Sequence, residues 1–449
     1  MSEATLPIVI DLIRDAAYPL TGSPMDYDPL LDFIGDARFV LLGEASHGTH
    51  EFYRERAEIT KRLIREKGFT AIAVEADWPD AYRVNQYVQG LSRDADAAEA
   101  LSGFQRFPAW MWRNADILDF VGWLRTHNDS LAADSQAKVG FYGLDLYSLH
   151  ASMGAVLAYL DKVDPKGASR ARYRYACFEH FGEDPQTYGY AAGFGLSHTC
   201  ESEVIAQLID LRKRAAEYAR RDGWGAIEDF FSAEQNARLV MNAEQYYRTM
   251  FRGRVSSWNL RDAHMAETFD ALVQHLEVRN SAAKLVVWAH NSHIGDARAT
   301  QMHHAGEWNI GQLIRQKYRD DCCLIGFSTY TGTVTAASTW DGPAERKQVR
   351  PARPDSFEGL FHRTGIRAFV LPLESGTHVS RGLSESMLER AIGVIYLPES
   401  ELSSHYFEAR LSDQFDAIIH FDQTRAVEPL EPVAEVKDGE PAETFPSGV

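Results

Sequence analysis

The feature that most constrains this chain is a series of short apolar runs, each ending in a polar residue, with helical patterning between them. Phe39-Val40-Leu41-Leu42 runs into Gly43-Glu44, and GFTAIAVE ends at Glu75 with Asp77 just beyond. VGFYG (139–143) runs on to Asp145, and AKLVVWAH (283–290) ends at His290. Runs this short and this apolar are the length of strands buried on both faces, not of helices. Between the first two, residues 49–67 carry Phe52, Tyr53, Ile59, Leu63 and Ile64 at helical spacing and stop at Gly68. A strand, a helix and a second strand imply a right-handed crossover and parallel pairing. The expected fold is therefore α/β, a mostly parallel central sheet flanked by helices.

Further strand candidates are CCLIGF (322–327), IRAFVLPL (366–373), IGVIYLP (392–398) and FDAIIHF (415–421). Residues 166–250 show helical periods and no core strand, so they read as a helical insertion or subdomain. The division is residues 1–90 as the first part of the core and 91–256 as a largely helical insertion with one core strand near 138–143. Residues 257–430 then form the second part of the core. The polar, Pro-rich tail 431–449 is expected to be disordered. Residues 330–360, rich in Thr, Gly and Pro, read as a long functional loop or a β-excursion.

With 64 acidic against 46 basic residues, the net charge of −18 argues against non-specific binding to nucleic acid or an anionic membrane. The N-terminal stretch has no basic region followed by an apolar core, so it does not read as a secretory signal. No apolar run is long enough to span a bilayer. Four cysteines with no CxxC motif exclude a zinc ribbon or thioredoxin-type motif, and the expected compartment is the cytoplasm. Oligomeric state is not legible.

In an open parallel sheet, chemistry gathers at the carboxyl ends of the strands. Glu44, His47, Glu75, Asp145, His290 and His293 all fall there. Each also has a plainer reading. His47, between Gly43 and Gly48, suits a turn or a cap. Glu44 and Glu75 suit buried carboxylates paired with Arg56. His290 suits a core histidine, and HNSH (290–293) the start of a helix capped by Asn or Ser. Their coincidence at several strand ends is what points to a site. There is no G-x-S-x-G nucleophile elbow and no HExxH. What remains is a histidine among carboxylates, suited to activating water, with Arg or a second His stabilising the oxyanion. A metal held by Glu44, His47, Glu75, His290 and His293 is the less favoured alternative. The reading needs no cofactor, and its partner is a small-molecule substrate.

GEASHGTHEF, Arg56, AVEADW, GLD (143–145), NLRDAHMA, WAHNSHIG and HYFEARLSDQFDAIIHFDQTRAVEPL, in that order, resemble the erythromycin esterase family over about residues 35–430. The resemblance implies an α/β core with a helical excursion. It also implies hydrolysis of a carboxylic ester, for characterised members the macrolactone of macrolide antibiotics, by His-activated water without a covalent serine intermediate. It places the family's Glu and His on Glu44 and His47, its helix Arg on Arg56 and its strand-end Glu on Glu75. Its late histidines fall on His290 and His293, and the Arg of its RD motif on Arg261, beside Asp262. The implied catalytic set is His47, Glu44, Glu75, Arg56 and His290. The substrate-binding candidates are His293, Arg261, Asp145, Trp112 and Trp258. Trp78, Phe104, Phe107, Trp110, Met111 and Tyr147 are further candidates for a cleft wall, with core packing the plainer reading for most. Other readings are a different ester, such as a polysaccharide acyl group, and a non-catalytic metal or haem binder.

Overall fold

Buried on both faces, Phe39-Val40-Leu41-Leu42 splits by alternation into two cores. Phe39 and Leu41 join one apolar cluster with Leu285, Val287 and Leu144. Val40 and Leu42 join a second with Val286, Trp288 and Ile72. Period-2 side chains on a sheet covered on both faces give this pattern. The computed structural model describes residues 6–132, 135–182, 184–218, 223–278 and 282–431. The tail expected to be disordered lies outside them, save for Glu431.

The strands are β1 (Tyr18–Pro19), β2 (Phe39–Leu42), β3 (Ala71–Asp77), β4 (Gly140–Asp145), β5 (Leu285–Trp288), β6 (Cys322–Ala336), β7 (Glu345–Val349), β8 (Ala368–Pro372), β9 (Met387–Arg390), β10 (Tyr406–Ala409) and β11 (Ala417–Thr424). The main sheet has the order β1-β8-β11-β6-β2-β5-β3-β4, with β7 on β6. From β11 across to β4 every pairing is parallel. β1, β7 and β8 pair antiparallel. Helices His50–Lys67 and Trp78–Val88 follow β2 and β3. Between β4 and β5 every described element is helical, including the long Gly223–Thr249 and Arg254–Glu277.

One expectation needs correction. IGVIYLP is not a strand: the strand is Met387–Arg390, which pairs with Tyr406–Ala409 in a separate small sheet. Residues 392 and 395 make only isolated bridges, to Ser46 and Ala337. The run is apolar because Ile392 and Tyr396 pack with Val334, Ala336 and Val349 in a third core. CCLIGF is the first part of a strand that continues to Ala336 and pairs with β7, so the region after 330 is in part a β-excursion.

Cys177 and Cys200 form a disulfide within the helical region. No helix among the described residues is long and apolar enough to cross a membrane.

Candidate active site

Sheet order explains why distant segments meet. β5 lies between β2 and β3, and β4 lies beyond β3. Neighbouring strands are about 4.8 Å apart. The ends carrying His47, His290, Glu75 and Asp145 are therefore side by side along one carboxyl edge. All four line one cavity of about 1070 Å³, part of it open to solvent.

The turn after β2 is built around His47. Gly48 has φ +71°, and a Cβ there would lie 2.1 Å from the Thr335 carbonyl. That close approach lets the Gly48 carbonyl accept from Thr335 N and Val427 N, each at 3.0 Å. Gly43 is needed for room, since a Cβ would meet Asn291 Oδ1 at 2.1 Å. His47 N donates to the Ile392 carbonyl at 3.1 Å, so the misread apolar run holds the turn from the other side.

His47 Nδ1 lies 2.9 Å from Glu44 Oε1, and Glu44 Oε2 accepts from Arg56 Nη2 at 3.0 Å. An ionised carboxylate only accepts, so the His47 proton sits on Nδ1 and Nε2 keeps its lone pair. Arg56 is 0% exposed, its guanidinium 4.5 Å from the Tyr53 ring centroid and 5.2 Å from that of Trp288. Glu44 and Arg56 stand behind His47 and are not part of the cavity wall.

Glu75 anchors the opposite side. Its Oε2 accepts from His290 N at 2.8 Å and its Oε1 from Arg261 Nη2 at 2.7 Å. Arg261 also holds Asp145 in a two-pronged contact, Nε to Oδ1 at 3.0 Å and Nη2 to Oδ2 at 2.7 Å. Burial works against ionisation of Glu75, but His293, Arg261 and His47 outweigh it and hold its pKa far below the usual range. Asp145 is lowered too, Arg261 overcoming burial. Both carboxylates therefore stay ionised and serve as electrostatic anchors, not proton donors.

His290 is the cap of the short helix Asn291–Ile294, in place of the Asn or Ser expected, its ring accepting from Ser292 N. Burial, then the neighbouring His47, push its pKa well below the ordinary value, so the ring is neutral. His293 donates from Nδ1 to Asp262, with contacts of 2.9 and 3.0 Å, and its Nε2 accepts from Arg261 Nη1 at 3.0 Å. Burial opposes its charging, but Asp262 and Glu75 prevail and raise its pKa. Glu75 Oε1 lies 3.4 Å from Nε2, placed to accept a hydrogen bond when that nitrogen is protonated. With both nitrogens engaged and its ring stacked on Trp258 at 4.5 Å, His293 is placed to support Arg261 more than to reach a ligand.

Trp112 and Trp258 line the cavity, as do Phe104, Phe107, Met111 and Tyr147. Trp78 and Trp110 do not: Trp78 Nε1 donates to Ser232 Oγ at 3.2 Å in the core, and Trp110 packs over Gly48. Sequence reasoning missed Arg106, which binds Asp77 Oδ2 through Nε at 2.8 Å and Nη2 at 2.6 Å. Its guanidinium and that of Arg261 lie 4.9 and 5.0 Å from the Tyr147 ring centroid. Arg106 sits in a loop, FQRFP, with no periodicity or motif to mark it. Arg254 and Trp340 on the cavity wall were missed likewise.

As a metal site the cluster fits poorly. The Glu75 oxygens and His293 nitrogens are committed to protein partners, and a guanidinium stands among them. No group of three or more His, Cys, Asp or Glu among the described residues is arranged to hold a metal ion.

Fold and site together define an α/β protein whose imidazoles, carboxylates and guanidinium converge at one sheet edge under an aromatic wall. The chain belongs to the erythromycin esterase family, whose profile matches residues 64–424. That span includes Glu75, Arg261, His290 and His293 but begins after His47. Erythromycin esterase type II of Escherichia coli is 23% identical over 325 residues, 69% of this chain and 73% of that protein. The putative hydrolase YbfO of Bacillus subtilis (strain 168) is 22% identical over 403 residues, 85% and 82% respectively. Among solved structures, a succinoglycan biosynthesis protein superposes with TM-score 0.75 at 21% identity, covering 96% of this chain and all of that one. A mutant of erythromycin esterase EreC in its open conformation gives 0.65 at 17%, covering 91% and 96%. At these identities the structural likeness speaks to the fold alone.

Proposed function

We propose that the protein is a hydrolase that cleaves a carboxylic ester with a water molecule activated by His47. The observation that carries this reading is the Glu44–His47 contact of 2.9 Å, which leaves a basic Nε2 on a ring that lines an aromatic-walled cavity. A water molecule at Nε2 gives up a proton as its oxygen adds to the ester carbonyl. The resulting imidazolium is stabilised by Glu44 and by ionised Glu75. Charge on the carbonyl oxygen is met by His290 and by Arg261, which Glu75 and Asp145 hold in place. Collapse breaks the bond to the alkoxide, which takes the proton from His47, giving one acid and one alcohol. No serine is needed as a nucleophile. Ser46 Oγ is bonded to Thr49 Oγ1 at 2.5 Å, and His290, beside Ser292, has no carboxylate on its far nitrogen of the kind that orients a serine triad.

A cavity with Trp112, Trp258 and Phe107 on its wall suits a partly apolar ester. The Escherichia coli relative's name makes a macrolactone the first candidate, and the name of the succinoglycan biosynthesis protein makes an acylated sugar the second. The test is mass spectrometry after incubation with panels of both in ¹⁸O-labelled water. The reading expects a product heavier by one water, the label in the acid and none on the protein. Turnover of neither panel, or an acylated protein, would contradict it.

A further inference from the structure

The proton on His290 is placed by its own sequence neighbourhood. Ser292 N lies 3.2 Å from His290 Nδ1, and Ser292 Oγ lies 2.8 Å from the same atom. A backbone N–H can only donate, so Nδ1 carries the lone pair, and the hydroxyl donates to it as well. The neutral ring must then hold its proton on Nε2. That nitrogen is buried and makes no hydrogen bond of good geometry, although the ring lines the cavity. The titratable groups facing His290 are His47, Glu75 and His293.

We propose that Ser292 is a positioning residue that fixes His290 as the imidazole whose Nε2–H donates to the oxygen on which charge develops in ester cleavage. This rests on the ester-hydrolase reading. His47, with its proton on Nδ1, and His290, with its proton on Nε2, then act as base and donor in one cavity. Ser292 thus serves as a lock on the ring, which has no carboxylate on Nε2 to complete a serine triad.

The experiment combines ¹⁵N-histidine two-bond correlation spectra, assigned with H290N, and steady-state kinetics of S292T, S292A and S292D. Wild type and S292T are expected to show the proton on Nε2 and comparable kcat. S292D, whose carboxylate must accept, moves the proton to Nδ1 and lowers kcat at least about tenfold, with KM changed less than about twofold. S292A, which keeps the backbone donor, falls between them. A merely structural Ser292 would alter thermal stability and leave tautomer and kcat/KM partition unmoved. The proposal is overturned by a proton on Nδ1 in the wild type, by full kcat in S292D, or by an acyl group trapped on Ser292. If wild type cleaves no ester, the functional reading fails while the spectrum still decides the tautomer.

Discussion

The rings of His47 and His290 lie 4.9 Å apart at 51° to each other, and their contacts place the protons on opposite nitrogens. One ring is thus equipped to take a proton and the other to offer a hydrogen bond. Replacing His290 by Phe keeps a ring and removes the donor. A donor used chiefly in the transition state affects kcat more than KM. Steady-state kinetics of H290F are expected to show kcat reduced about a hundredfold with KM little altered.

Glu44 joins His47 to a guanidinium that has no access to water. Glu44→Gln leaves Arg56 charged and unpaired in the core, at a cost of about 3–5 kcal/mol. Adding Arg56→Met removes that stranded charge. Denaturant unfolding is expected to show the double variant regaining most of the stability lost by E44Q. Its activity stays low, because His47 still lacks its carboxylate.

Acid should destabilise the fold in two stages. His290 is depressed by burial and His47, and burial pushes His264 and His405 down to about 4. For such groups the unfolded chain binds the proton first. Their stabilisation is complete above the unfolded value near 6.5 and is lost as pH falls below it, by about 1.4 kcal/mol per pH unit per group. Glu75 is likewise depressed, and its contribution is lost below about 4.3, the unfolded value. His293 is raised and acts oppositely, its contribution being present below about 6.5 and lost as pH rises through its folded value. Unfolding curves across pH should therefore show H290F losing less stability than wild type between pH 6.5 and 4.5, and a shallower profile below 4.3 for E75Q.

Gly48→Ala puts a methyl group at a left-handed position and against the Thr335 carbonyl. The backbone conformation alone costs about 1–2 kcal/mol, and the contact forces the turn away from β6. Calorimetry of G48A is expected to show a lower Tm, and its kcat should fall because the displaced turn carries His47.

Much of the frame was legible because buried strands are short and apolar on both faces, as Phe39–Leu42 and Leu285–Trp288 show. Their polar ends were legible for the same reason: Glu75 and His290 interrupt runs that are otherwise apolar. Strand order was not legible. Nothing local says that Leu285–Trp288 inserts between Phe39–Leu42 and Ala71–Asp77, yet that insertion brings Glu75 to His290. IGVIYLP misled because burial, not pairing, made it apolar. Arg106 left no trace, since a loop arginine takes its meaning from Asp77 and Tyr147, both distant in sequence.

The most direct test is the rate of ester hydrolysis by His47→Asn beside the wild type, with near-ultraviolet circular dichroism confirming the same fold. Loss of a general base should lower kcat by about a hundredfold or more, with the folded spectrum retained. A folded H47N enzyme that turns over at the wild-type rate would contradict the assignment of His47 as the group that activates water.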